Sequence, residues 1–157
     1  MDDVIKVAGH RLGTKELESA SLTVEEISEA AAVPVIDETR GRAVEMYVSL
    51  KTGLQPSRAV EDKVTATIEH EIGEIARPVH VWIVPDMPKT RSGKIMRRVI
   101  AGISNFADVG DVSTLANPEV VGHIKHQVQS EKLAHGEVPR QLTPEEAAEI
   151  RAFGNQE

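Results

Sequence analysis

Residues 42–50, Arg42-Ala43-Val44-Glu45-Met46-Tyr47-Val48-Ser49-Leu50, alternate cleanly between apolar and polar positions. Val44, Met46, Val48 and Leu50 fall on one side, and Glu45, Tyr47 and Ser49 on the other, which predicts a half-buried strand. Downstream, Gly53 to Pro56 reads as a loop and Ser57 as a helix cap. Val60, Val64, Ile68 and Ile72 then recur every four residues as one buried helical stripe, which Gly73 ends. Residues 79–84, VHVWIV, form a further strand. A long helix between two strands permits a parallel crossover. Upstream, Ala32-Val33-Pro34-Val35-Ile36 is a short β-branched strand, and Pro34 places it at an edge or a bulge. Asp37 to Gly41 is the turn that joins it to residues 42–50.

Toward the start, Val4 to Ala8 is strand-like. Gly9 and Gly13, on either side of a basic pair, suggest a hairpin or sharp turn. Thr14 is read as the cap of a short helix over 15–20. Thr23 with Glu26 has the spacing of a capping box and predicts a second short helix from Val24. Toward the end, Ile95, Met96, Val99, Ile100 and Ile103 give an amphipathic helix after a basic loop over 86–94. Residues 119–133 form a helix with a modest apolar face, and Thr143-Pro144-Glu145-Glu146 starts a short peripheral one. The fold class is therefore α+β: a small domain over residues 1–104, with an N-terminal β-hairpin and a three-stranded mixed sheet flanked by helices. Residues 105–157 form an extended and helical tail.

Composition narrows the function classes. The 157 residues include no cysteine, which excludes disulfides, thiol nucleophiles and Cys-based zinc sites. Aromatics are only 3%, so aliphatic side chains must build the core. No apolar run reaches the roughly 18 residues of a membrane span. The acidic start, Met1-Asp2-Asp3, does not resemble a signal peptide, and a reducing cytoplasm is the expected location. The net charge of −7 argues against general nucleic-acid binding. Yet five of the 18 basic residues, and none of the 25 acidic ones, fall in residues 88–98, PKTRSGKIMRR.

Charge runs are usually just solvated. This one also combines Pro88, a Ser92-Gly93 turn and three cations near a helix start, a set that favours anions and phosphate above all. It is not a Walker A loop. Pro88 stands where that loop needs glycine, and Ile95 where it needs Ser or Thr. No aromatic interleaves with the cations to stack bases. His123 and His126 are three apart on a helix, but no third ligand accompanies them, and no metal site is assigned.

Residues 88–98 resemble the C-terminal signature loop of AMP-forming acyl-CoA synthetases, within the adenylate-forming superfamily. Residues 2–14, DDVIKVAGHRLGT, resemble that superfamily's hinge-and-hairpin motif. Residues 110–118, GDVSTLANP, are similar to the tail of acetyl-CoA and propionyl-CoA synthetases. The three motifs stand in the family's order across residues 2–132. The resemblance implies that this is the small mobile C-terminal domain, whose partner is a large N-terminal domain that carries the ATP loop and acyl pocket.

What the resemblance implies about chemistry is specific. The family's substrates are Mg2+-bound ATP, a short carboxylate (here acetate or propionate) and CoA. The carboxylate attacks the α-phosphorus of ATP to give acyl-AMP, and CoA then displaces AMP. The attack brings like charges together, and a positioned ammonium screens them. Family resemblance puts that catalytic role on Lys94, with Arg91, Ser92 and Gly93 as its loop support. Asp2 matches the hinge, Arg11 an arginine at the ATP phosphates, and Gly9 and His10 the CoA channel. Lys94 also matches a lysine that the family acylates as an off switch. A lysine acetyltransferase and a deacetylase are therefore implied partners, since acetylation removes the charge. Where some relatives carry a basic pair before Glu-Ile-Gly, near the CoA 3′-phosphate, this chain has Glu69-His70, with Arg77 close by in sequence.

Three functional readings follow. The first is the C-terminal domain of an acetyl- or propionyl-CoA synthetase, inactive alone. The second is a stand-alone binding module that serves as a lysine-acylation substrate. The third is a basic-loop nucleic-acid binder, the least favoured; no nucleic-acid or membrane partner is assigned.

Overall fold

The computed structural model describes residues 3–139 and 141–154. The chain divides into two compact units, Met1–Pro85 and Asp86–Glu157.

The first unit opens with an antiparallel hairpin, β1 (Val4–Val7) and β2 (His10–Gly13). Ala8 and Gly9 both have positive φ, 48° and 84°. Two such residues between paired strands make the mirror-image tight turn that matches strand twist. Helix α1 (Thr14–Leu22) follows and packs on β3 (Ile27–Asp37). β3 pairs antiparallel with β4 (Gly41–Leu50), and α2 (Arg58–Glu71) returns the chain so that β5 (His80–Ile83) runs parallel to β4. The order β3-β4-β5 makes the three-stranded mixed sheet expected, and the fold is α+β. Ser57 caps α2, its Oγ accepting from the Val60 N–H at 3.2 Å, and Val60, Val64 and Ile68 are the buried stripe. A 3₁₀ turn, Glu74–Ala76, leads into β5.

Two sequence-based expectations fail here. Thr23 and Glu26 form no capping box. The Thr23 hydroxyl donates backwards to the Ala20 carbonyl at 2.6 Å, ending α1, and Glu26 pairs with Lys63 at 3.0 Å. With both partners spent elsewhere, residues 24–26 turn and β3 begins at Ile27. Thr14 lies inside α1 rather than before it, and its hydroxyl donates to the Asp3 carbonyl.

β4 is also more buried than its alternation indicates. Glu45, Tyr47 and Ser49 are as inaccessible as Val44, Met46 and Val48, so both faces are covered. The Glu45 carboxylate is satisfied there by the Trp82 indole N–H at 2.8 Å. Such a partner is what makes a buried polar group tolerable. β3 is an edge strand, as Pro34 indicated. The Ala32 N–H donates to the buried Glu18 carboxylate at 3.0 Å, and Pro34, two residues on, has no N–H to offer.

The second unit holds α3 (Arg97–Ser104), α4 (Glu119–Ala134) and α5 (Pro144–Ala152), with α3 packed against both others. The α3 helix starts two residues later than the pattern suggested, leaving Ile95 and Met96 in the preceding loop. α5 has the capping box read from Thr143 and Glu146, but it is not peripheral: Ile150 and Phe153 are buried. Lys132 is 1% exposed, and its ammonium donates to the Ser104 carbonyl at 2.8 Å. A cation at the C-terminal end of α3 meets the negative end of that helix.

Candidate functional site

The basic loop is a small clasp. The Gly93 N–H donates to the Thr90 carbonyl at 2.9 Å, the Thr90 N–H donates to the Lys94 carbonyl at 2.8 Å, and Lys89 bridges Ile95. Gly93 has φ +91°, so a tight turn ends in a left-handed residue. Thr90 closes it: its Oγ1 accepts from the Lys94 N–H at 3.1 Å and lies 3.0 Å from the Ser92 hydroxyl. This internal bonding uses the amides of Thr90, Gly93 and Lys94. Expected anion donors of the backbone are therefore spent at those positions, and side chains carry the loop's positive charge. The first turn of α3 is likewise covered: a Cβ on Gly154 would stand 3.3 Å from the Arg98 nitrogen.

The five cations separate by partner. Lys89 pairs with Asp86 at 3.2 Å, and Arg98 donates to the Val109 carbonyl at 2.8 Å. Arg97 is half-buried. Arg91 and Lys94 are exposed, and neither has an ion-pair partner among the described residues. The Lys94 ammonium is thus held at the end of an ordered turn with no counter-charge on it among the described residues.

Residues 110–118 explain themselves here, in a way no local spacing could show. The Ala116 N–H donates to the Lys89 carbonyl at 2.9 Å. Asn117 accepts from the Lys89 N–H through Oδ1 and donates through Nδ2 to the Met87 carbonyl at 2.8 Å and to Asp86 Oδ2 at 3.2 Å. The third motif is a splint for the entry to the first.

The hairpin belongs to the first unit. Ile5, Val7 and Leu12 are buried, while Lys6, Gly9, His10 and Arg11 are exposed. The Ala8 N–H donates to the Arg40 carbonyl at 3.0 Å, and the Thr14 N–H to the Asp3 carbonyl at 3.0 Å, so both ends are tethered. A Cβ at Gly9 would meet no atom within 4 Å, so within this chain it is φ of +84°, not crowding, that asks for glycine. Asp2 lies outside the described residues. Arg77, the nearby cation read from the sequence, is paired with Glu69 at 3.3 Å. No helix of the described residues is long and apolar enough to cross a membrane.

A family model described as the AMP-binding enzyme C-terminal domain matches residues 16–94. The chain is similar to an acetyl-coenzyme A synthetase of Syntrophus aciditrophicus (strain SB), 48% identical over 123 residues, which cover 77% of this chain and 19% of that relative. It is also similar to acetyl-coenzyme A synthetase 1 of Pseudomonas aeruginosa, 43% identical over 126 residues, covering 79% of this chain and 19% of the relative. Among solved structures, a Brucella canis acyl-CoA synthetase superposes with a TM-score of 0.59 at 33% identity, over 63% of this chain and 18% of that one. The chain spans about a fifth of the length of the curated relatives it matches. On the matched span from α1 to the basic turn, the chain belongs to the AMP-binding enzyme C-terminal domain family.

Proposed function

We propose that this chain works as the C-terminal domain of an acetyl-CoA synthetase, an AMP-forming ligase that joins acetate to CoA at the expense of ATP. The observation that carries the reading is the Lys94 ammonium: exposed, without an ion pair among the described residues, and held on a preformed turn. An anionic carboxylate and an anionic α-phosphoryl group repel as they approach. An ammonium between them lowers that repulsion most where charge gathers, in the transition state. Because the turn is already ordered, little entropy is lost in presenting the amine. Arg91, Ser92 and Gly93 hold the turn, and Arg11 serves the ATP phosphates. Gly9 and His10 line the path of CoA, and Asp2 is the hinge. Mg2+ arrives with ATP as part of the substrate.

The name the relatives carry, acetyl-coenzyme A synthetase, supports acetate rather than propionate as the acid. On this reading the ATP loop and acyl pocket belong to a partner domain, and these 157 residues by themselves are expected to be inactive. The enzyme works in the cytoplasm. Acetylation of Lys94 by a lysine acetyltransferase silences adenylation, and a deacetylase restores it.

The test uses the full-length enzyme. Lys94→Ala is expected to abolish acetate-dependent ATP–pyrophosphate exchange, while thioester formation from supplied acetyl-AMP continues. Equal loss of both steps, or exchange at the parental rate, refutes the role.

A further inference from the structure

We infer that residues 150–154 are a positioning clip for the basic turn: the end of α5 closes on the first turn of α3 and so fixes the exit of the Lys94 loop. What the clip positions Lys94 for rests on the proposed function; that it holds the turn does not. The need for a clip is set by the sequence of α3. That helix has only eight residues, and helices under about 12–15 residues are marginal on their own. It also starts badly. Met96, at its cap position, lends no side-chain hydrogen bond, the first turn has no acidic residue, and Arg97 and Arg98 open it. Two cations there face the positive end of the helix, and such a start depends on packing from elsewhere. The first turn is also continuous with the loop. The Met96 N–H donates back to the Pro88 carbonyl at 2.8 Å, and the Val99 N–H to the Met96 carbonyl at 3.1 Å. Loosening of this turn therefore reaches Lys94, two residues before Met96.

The end of α5 supplies that packing. The helix lies on α3 and buries Ile150 and Phe153, three residues apart, while its Glu145, Ala148 and Glu149 stay exposed. Gly154 then sits on the first turn of α3 itself. A Cβ there would stand 3.1 Å from the Arg97 Cβ and 3.3 Å from the Arg98 nitrogen, and its φ is +81°. Close approach and backbone conformation both ask for glycine at this one position. The basic turn is thus held on two sides, by Asn117 at its entry and by residues 153–154 beyond its exit. Residues 135–139, which lead toward α5, are exposed. A nine-residue helix is itself marginal when free, so the clip docks or releases as a unit.

The first test is hydrogen exchange on the 157-residue chain. Gly154→Ala adds one methyl against Arg97 and removes nothing from the core. It should speed exchange at the Met96 and Val99 amides about fivefold. The Val48 amide in β4 and the Val128 amide in α4 should keep the parental rate. Phe153→Ala should act in the same direction and more strongly, and Phe153→Leu should stay near the parent. The second test uses the full-length enzyme. Gly154→Ala should lower kcat of acetate-dependent ATP–pyrophosphate exchange by about fivefold, with KM for ATP and acetate unchanged and thioester formation from supplied acetyl-AMP spared. Parental amide rates in both Gly154→Ala and Phe153→Ala overturn the clip, and so does equal acceleration in α4. Faster Met96 exchange with an unchanged kcat overturns its positioning role, as does a kcat loss in Phe153→Ala that Phe153→Leu fails to rescue. Should Lys94→Ala retain exchange activity, the proposed function falls, and the amide rates alone decide whether the clip holds the turn.

Discussion

Asn117 Oδ1 accepts the Lys89 backbone N–H at 2.9 Å across 28 residues of chain. With its Nδ2 on the Met87 carbonyl, one amide side chain fixes the segment that leads into the basic turn. Removing it leaves a half-buried N–H and a carbonyl unmatched. Asn117→Ala is therefore expected to cost about 1–3 kcal/mol and to open the turn first. Hydrogen exchange read at the Thr90 and Met96 amides should speed up more than exchange in α4. Uniform acceleration, or none, would show that the turn stands without its splint.

Ala8 sits at φ +48°, a conformation that glycine and asparagine adopt at less cost than alanine. Ala8→Asn should stabilise the first unit by about 0.5–1 kcal/mol, visible as a higher urea midpoint. A lower midpoint would mean that the side-chain amide disturbs the turn rather than relieving it.

Lys132 is buried on the same helical face as Ile124 and Val128, its ammonium on the Ser104 carbonyl. Lys132→Ala removes a long stem and strands a carbonyl, and is expected to cost about 3–5 kcal/mol. Lys132→Met keeps the stem and should lose less. Thermal unfolding of the two variants ranks the packing and hydrogen-bond contributions; equal losses would assign nearly all of it to the ammonium.

Asp37 is held below the usual carboxylate range, first by the Arg40 backbone N–H and then by that of Thr39, which its Oδ1 accepts at 3.0 and 2.8 Å. A carboxyl depressed in the folded state stabilises it fully above the unfolded value and loses that contribution as pH falls through the folded one. Glu26, lowered by its hydrogen bond to Lys63, acts in the same direction. Stability should thus fall on acidification below about pH 4, and Asp37→Asn should flatten the slope. An unchanged slope in that variant would remove Asp37 from the acid response.

What the sequence made legible were local patterns. The strand over 42–50, the stripe from Val60 to Ile72 and the Thr143 capping box each depend on neighbours a few positions away, and each appears where read, except that Ile72 falls just past α2 and is only half-buried. Most of the failures involve distant partners. Lys63 takes Glu26 out of its box from 37 residues downstream, and Trp82 satisfies Glu45 across the same separation, allowing a polar face to go inside. The clasp at Thr90 was visible as a turn, but its splint was not, since nothing about Asn117 by itself names Lys89 as its target. Lys132 did leave a trace: it continues the Ile124–Val128 spacing by four, and a lysine on an apolar stripe marks a buried cation in need of a carbonyl.

The outer border of β3 presents a carboxylate at Ala32 and an imino ring at Pro34 in place of open donors. A stray extended segment, from a nascent copy or a partly unfolded neighbour, finds the ladder interrupted at those two positions. The one remaining lateral margin of the sheet is β5, only four residues long. Both lateral margins of the sheet are thus poor templates for edge-to-edge pairing.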